Sequence, residues 1–254
     1  MLNASEDSTR IAAAELFGLL SDSILRAPGG TSLSFYNIRA MSLVVSPDNH
    51  LRLYNWMLLL DKGNRYQFFG YAAFRQEKKM PYRILKLEEK KYSDNEATSY
   101  LKLDSTTWLG CVYYKIIQQR YNKKTTYIAL GWAPQSLLTT CKIIEPMSFS
   151  TSKITLGAPV FKAKGTKAKS RIIFEYNARA TMSLRYEEKQ DRIVFDHLSP
   201  SDPRPESKGV YSLYGPDLTY DAYVFKQGSW MYQSDLQMGN DGLNEGKEGK
   251  FFGK

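Results

Sequence analysis

Asp196 and His197 are the pair most suggestive of chemistry in this sequence, because a carboxylate beside an imidazole is the core of a general-base dyad. They fall in Arg192-Ile-Val-Phe-Asp-His-Leu198, which alternates like a strand. Successive side chains of a strand point to opposite faces, so the two neighbours cannot bond each other while the strand stays regular. A capping or turn role suits Asp196 better, just ahead of Leu198-Ser-Pro200, and either residue can face a pocket on its own. Asp217 and Asp221 offer oxygen ligands to calcium, but their spacing in Gly215-Pro-Asp-Leu-Thr-Tyr-Asp221 matches no calcium loop, and turn chemistry accounts for them. Trp56, Trp132 and Trp230 each close or follow a predicted hairpin strand. Aromatics there either line a sugar- or peptide-binding surface or cap the core between sheets, and core is the commoner role. The binding candidates are therefore Trp56, Trp132, Asp196, His197, Asp221 and Trp230.

Other chemistries find little support. His50 is the second histidine and sits in a predicted turn. Two histidines and two cysteines, widely separated, have no zinc spacing. There is no Gly-x-Ser-x-Gly elbow and no phosphate-cradling glycine loop followed by Lys-Ser or Lys-Thr. No catalytic residue, metal or cofactor is therefore assigned. Cys111 and Cys141 both lie in apolar runs, which predicts buried free thiols, with one bridge as the alternative.

The chain carries 35 basic and 26 acidic residues, a net charge of +9, which favours anionic partners in general. Acids are interspersed almost everywhere, so a solubilising surface is the simpler reading. The one uninterrupted basic stretch, Lys162 to Arg171, lies between two apolar runs and reads as a solvated loop. No aromatic interleaves it, so nucleic acid is not the expected partner.

The elements that must position these side chains are mostly strands. Aromatics make up 13% of the chain, and 18 residues are tyrosine, a composition that favours β structure. One helix is predicted over residues 8–26, capped by Ser8 or Thr9 and ended by Pro28-Gly29-Gly30. Its apolar stripe of Ile11, Ala14, Leu16, Phe17, Leu20, Ile24 and Leu25 is expected to lie on a sheet face or against a partner. No apolar run is long enough for a transmembrane helix. From about residue 40 the pattern becomes strand, polar turn, strand. Such units begin near Met41, Val112 and Met182, about 70 positions apart. The predicted fold is a mostly β antiparallel meander of repeated hairpins, propeller-like or a large curved sheet or sandwich, with one N-terminal helix. The expected organisation is a lead-in over 1–30, one β domain over 31–236 and a flexible Gly-rich tail over 237–254.

Several stretches resemble a family of uncharacterised exported proteins of Bacteroidetes-type bacteria. They are Met182-Ser-Leu-Arg-Tyr186 with Arg192 to Pro200, Tyr214 to Asp221 with Lys226-Gln-Gly-Ser-Trp230, Ser46 to Trp56, and Leu130-Gly-Trp132. The resemblance covers roughly residues 15–235 and implies an exported, envelope-associated setting, without an activity or catalytic residues to carry over. An export signal of the kind such proteins carry is missing here, so a cytoplasmic protein is the other expectation. The expected function is a non-enzymatic binding or structural module whose partner is another envelope protein or a glycan. A hydrolase acting on envelope carbohydrate or peptide through Asp196, His197 or Asp221 is the alternative.

Overall fold

The computed structural model describes residues 6–33, 35 and 38–236, so the tail expected over 237–254 lies outside the described residues. Helix α1 (Asp7–Arg26) comes first. Neither Ser8 nor Thr9 caps it. Glu6 occupies the cap position without a side-chain bond, and the Asp7 carboxylate instead accepts the Asp61 backbone N–H at 2.7 Å. The predicted apolar stripe divides: Ala14 and Leu25 are buried with Gly18 and Ser21, whereas Leu16, Leu20 and Ile24 face out. At about 100° per residue the seven stripe positions span more than half the helix circumference, wider than one sheet face can cover.

Strands β1 (Ser42–Val45), β2 (Leu51–Leu60), β3 (Arg65–Phe74) and β4 (Arg83–Leu87) form an antiparallel meander under α1. A short helix α2 (Asn95–Thr98) and strand β5 (Leu103–Asp104) follow. The second meander is β6 (Val112–Tyr121), β7 (Lys124–Pro134), β8 (Thr139–Phe149) and β9 (Ile154–Leu156), with β5 beyond β9. After β10 (Phe161–Lys162), strand β11 (Ile172–Asn177) returns to pair with β8. The third meander is β12 (Leu184–Glu187), β13 (Arg192–Pro200), β14 (Tyr214–Lys226) and β15 (Ser229–Gln233), with β10 parallel to β15 at its edge. The three sequence units are thus three four-stranded meanders. Residues 211–213 form a single 3-10 turn before β14. Turn chemistry fixes two of the tight hairpins: Asn122 and Lys123, and likewise Gln227 and Gly228, all hold positive φ, as a two-residue primed turn requires.

The sheets stack, and the second is the middle layer. One of its faces packs Tyr113, Ala129, Ala133, Cys141 and Ile143 against Leu51, Leu53, Phe68 and Phe74 of the first sheet. The opposite face packs Ile117, Ile128, Leu130 and Ile144 against Leu184, Ile193, Phe195 and Trp230 of the third. Burial on both faces explains why β7 and β8 read as near-continuous apolar runs rather than alternating ones. Gly131 is required by close approach, since a Cβ there would lie 2.8 Å from Cys111 Sγ. Both cysteines are buried and free, and burial raises each thiol pKa. Neighbouring units are tied through their first strands: Ser42 Oγ donates to Tyr113 O at 2.8 Å, and Tyr114 OH donates to Leu184 O at 3.0 Å.

Candidate functional site

The middle sheet exposes part of one face near the tip of the β7–β8 hairpin. Strand register places Trp132 opposite Lys142 and Pro134 opposite Thr140. On the other side of β8, Tyr176 of β11 also faces Thr140. Farther along, this face is covered by the third sheet. Here the β11–β12 loop, through Ala178, Ala180 and Thr181, leaves a cleft of about 430 Å³.

The lining of this cleft is chemically uneven. Trp132 is half-buried, so its ring offers a flat apolar wall, with Tyr66 and Tyr176 also lining the cleft. Thr140 Oγ1 is buried and has no hydrogen-bond partner among the described residues. Lys142 is half-buried, with its Nζ 4.6 Å from the Tyr114 ring centroid and no ion-pair partner among the described residues. Burial lowers its pKa, because a partly desolvated ammonium is disfavoured. Burial likewise pushes the Tyr176 hydroxyl up to about 12, so it stays a neutral donor. A cation and aromatic walls in one cleft can hold an anionic molecule that has a flat apolar face.

Of the sequence candidates, Trp132 alone among the three tryptophans is open to this kind of contact. Trp56 is 2% exposed, edge-on to Phe17 at 5.0 Å and stacked on Phe69 at 5.5 Å, between α1 and the first sheet. Trp230 is 1% exposed and packs in the core between the second and third sheets. Both serve as core residues, although Trp56 also borders a smaller cleft of about 300 Å³ with Glu15, Leu19 and Lys86.

Asp196 and His197 take separate partners, as strand geometry requires. The Asp196 carboxylate accepts the Ser183 backbone N–H at 2.8 Å. His197 meets Asp221 on the next strand, Nδ1 to Oδ2 at 2.7 Å. A bulge makes this possible. Asp196 pairs with Tyr220 and Leu198 with Pro216, so Asp217, Leu218 and Thr219 loop out beside His197. The Asp217 carboxylate holds that loop by accepting Thr219 N–H at 3.1 Å and Thr219 Oγ1 at 2.7 Å, which is turn chemistry rather than calcium ligation. Tyr232 OH donates to the same Asp221 oxygen at 2.7 Å, and Asp235 N–H donates to the other at 3.2 Å. The His197 Nε2 lies 3.9 Å from Asp217 Oδ2. Both ring nitrogens therefore face carboxylates, and the cluster clasps β13, β14 and β15 together.

That clasp has a pH signature. The hydrogen bond to Asp221, helped by the charges of Asp221, Asp217 and Asp235, raises the His197 pKa against a smaller opposing effect of burial. A folded-state pKa above the unfolded value of about 6.5 contributes stability that is complete below pH ~6.5. The contribution is lost as pH rises through the raised pKa. Urea midpoints of wild type and His197→Gln should therefore differ most at acid pH and converge at alkaline pH. A constant difference across that range would contradict the assignment.

His50 lies in the β1–β2 turn, where its backbone N–H donates to Ser46 Oγ and Asp48 Oδ1, each at 3.1 Å. Among the described residues no group of three His, Cys, Asp or Glu side chains could hold a metal ion. The basic stretch departs from the solvated-loop expectation at its end. Arg171 is fully buried and bonds Glu145, while Lys169 pairs with Glu96 at 2.6 Å. Lys167 and Lys169 also approach the Tyr100 ring at 5.3 and 5.7 Å, an aromatic that α2 brings from outside the stretch.

Sequence reasoning passed over Thr140, Lys142, Glu145 and Tyr176, and it placed Arg171 in a solvated loop. One signal was present: Lys142 and Glu145 are charges set within the apolar run Cys141-Lys-Ile-Ile-Glu-Pro-Met147. A charge in a strand covered on both faces needs either a partner or a purpose. Glu145 has a partner in Arg171, whereas Lys142 opens onto the cleft. Among the described residues no helix is long and apolar enough to cross a membrane. In comparison with known proteins, no family model, curated protein or solved structure matches this chain.

Proposed function

We propose that the protein is a non-catalytic binding module that takes an acidic sugar in the Trp132 cleft. The observation that carries this reading is Lys142, an ammonium half-buried without a counter-ion among the described residues, next to an aromatic wall. A sugar ring stacks its C–H face on Trp132. Its carboxylate meets Lys142. In the envelope setting implied by the sequence resemblance, an acidic glycan is the partner of that chemistry. Digalacturonic acid is a suitable probe. Calorimetric titration should detect binding to wild type, and Trp132→Ala should weaken it at least tenfold while leaving the far-UV circular dichroism unchanged. Equal binding by the variant would remove Trp132 from the site.

A second reading, hydrolysis of an envelope carbohydrate or peptide, draws on the 2.7 Å His197–Asp221 bond. It requires His197 to act as a base through Nε2, the nitrogen turned toward Asp217. Product release by wild type that is abolished in His197→Gln would favour it over the binding module.

A further inference from the structure

The outward face of α1 is a feature that the Trp132 cleft leaves unexplained. Leu16, Leu19, Leu20 and Ile24 are 52%, 68%, 54% and 40% exposed. The opposite side of the same helix is buried on the first sheet through Ala14, Gly18, Ser21 and Leu25. A helix that presents apolar side chains on its outer side as well as on its buried side is ordinarily covered on both. We propose that α1 is the seam of a two-fold homodimer, in which the α1 helices of two copies pack antiparallel.

The distribution of charge on α1 selects the occupant. The helix carries Asp7, Glu15 and Asp22 against Arg10 and Arg26, so it lacks the cationic excess of a helix that lies in an anionic membrane surface. At about 100° per residue, Ala12, Leu16, Leu19 and Ser23 form the outward centre line. Glu15, Asp22 and Arg26 fall together on one flank, and Ala13 and Ile24 fall on the other. A two-fold axis perpendicular to the helices brings the charged flank of one copy against the charged flank of the other, in reverse order. With the axis crossing near Leu20, Glu15 falls opposite Arg26 of the second copy, and the symmetry makes the pair twice. Arg26 uses Nε on Asp22 at 2.7 Å, which leaves its terminal nitrogens for this second carboxylate. Parallel packing would instead set the charged flank against Ala13 and Ile24 of the second copy. The face is therefore self-complementary in one orientation, as an isologous interface must be, and the assembly closes at two.

Sedimentation equilibrium of the full chain tests this directly. The expected result is a mass twice 29.1 kDa at micromolar concentration. Leu16→Glu/Leu20→Glu should return the mass to the monomer with unchanged circular dichroism, since neither side chain packs inward. Glu15→Arg should raise the dimer dissociation constant at least tenfold, and adding Arg26→Glu should restore most of it. A wild type that is monomeric at 50 µM, on the order of the upper end of micromolar affinities, overturns the proposal. So does a dimer indifferent to the two leucine changes. A dimer broken by the leucine changes but indifferent to Glu15→Arg overturns the antiparallel arrangement.

Discussion

Replacing Arg171 by methionine is expected to cost about 3–5 kcal/mol of folding stability, the range for removing one member of a buried ion pair. Its side chain and that of Glu145 are both 0% exposed. Arg171 Nε donates to the two Glu145 oxygens at 3.1 and 3.2 Å. Nη1 donates to the Thr98 and Leu101 carbonyls at 2.5 and 3.0 Å, and Nη2 to the Leu156 carbonyl at 3.1 Å. One guanidinium thus joins β8, β9 and the segment after α2. Its loss leaves a carboxyl and three carbonyls without their donor in the interior. Urea unfolding measures the cost. Adding Glu145→Leu to Arg171→Met should recover part of the loss, because an apolar pair of similar volume often replaces a buried ion pair without penalty. The three carbonyls remain unpaired, so the recovery stays incomplete. A loss under ~1 kcal/mol for the single variant, the scale of a surface ion pair, would contradict this account of Arg171.

The same pair has a pH dependence opposite to that of most surface carboxylates. Burial pushes the Glu145 carboxyl up to about 7, against the downward pull of Arg171. A folded pKa above the unfolded one means that the contribution of Glu145 is greatest below pH ~4.5 and is lost as pH rises through about 7. Glu145→Gln keeps an acceptor without the charge, so it should be tolerated best at alkaline pH.

Lys142→Met is expected to stabilise the fold, by about 0.5–2 kcal/mol, the scale of single stabilising changes at functional positions. Half of the reason is desolvation, since burial lowers the pKa of the partly buried ammonium. The other half is packing, because a methionine keeps the apolar stem against Tyr114 and Trp132. For a chain of this size each kcal/mol moves Tm by about 2–4 °C, well within calorimetric resolution. A destabilised Lys142→Met would show that the ammonium has a structural role and would remove the functional reading of its unpaired state.

Strands were legible in the sequence where a hairpin announced itself. Gln227-Gly228 and Asn122-Lys123 take the positive φ values that tight turns need, and the strands beside them follow. β9 and β11 were not legible. Ile154–Leu156 is too short to show a period, and Ile172–Asn177 directly follows a run of lysines that obscures it. The three-unit repeat could be read from the hairpins, but the stacking of the units could not. One tie between the first two sheets is Asn55, whose side-chain oxygen accepts the Tyr113 backbone N–H at 2.8 Å, and nothing near Asn55 in sequence marks it. The separation of Asp196 from His197 follows from period-two geometry alone. The His197–Asp221 pairing does not, because it depends on a bulge that slips the β13–β14 register by two residues. Lys142, Thr140 and Tyr176 lie on adjacent strands, β8 and β11, with β9 and β10 between them in the chain. Their convergence is a property of strand order, which local sequence patterns do not encode.

We propose Lys142 beside Trp132 as an anion-recognising group. The most direct test is calorimetric titration of wild type and Lys142→Met with digalacturonic acid and with its methyl ester. The acid should bind wild type at least tenfold more tightly than the ester does, and Lys142→Met should bind both with the same weak affinity. Equal affinity of wild type for acid and ester, or retention of the acid's advantage in Lys142→Met, would contradict it.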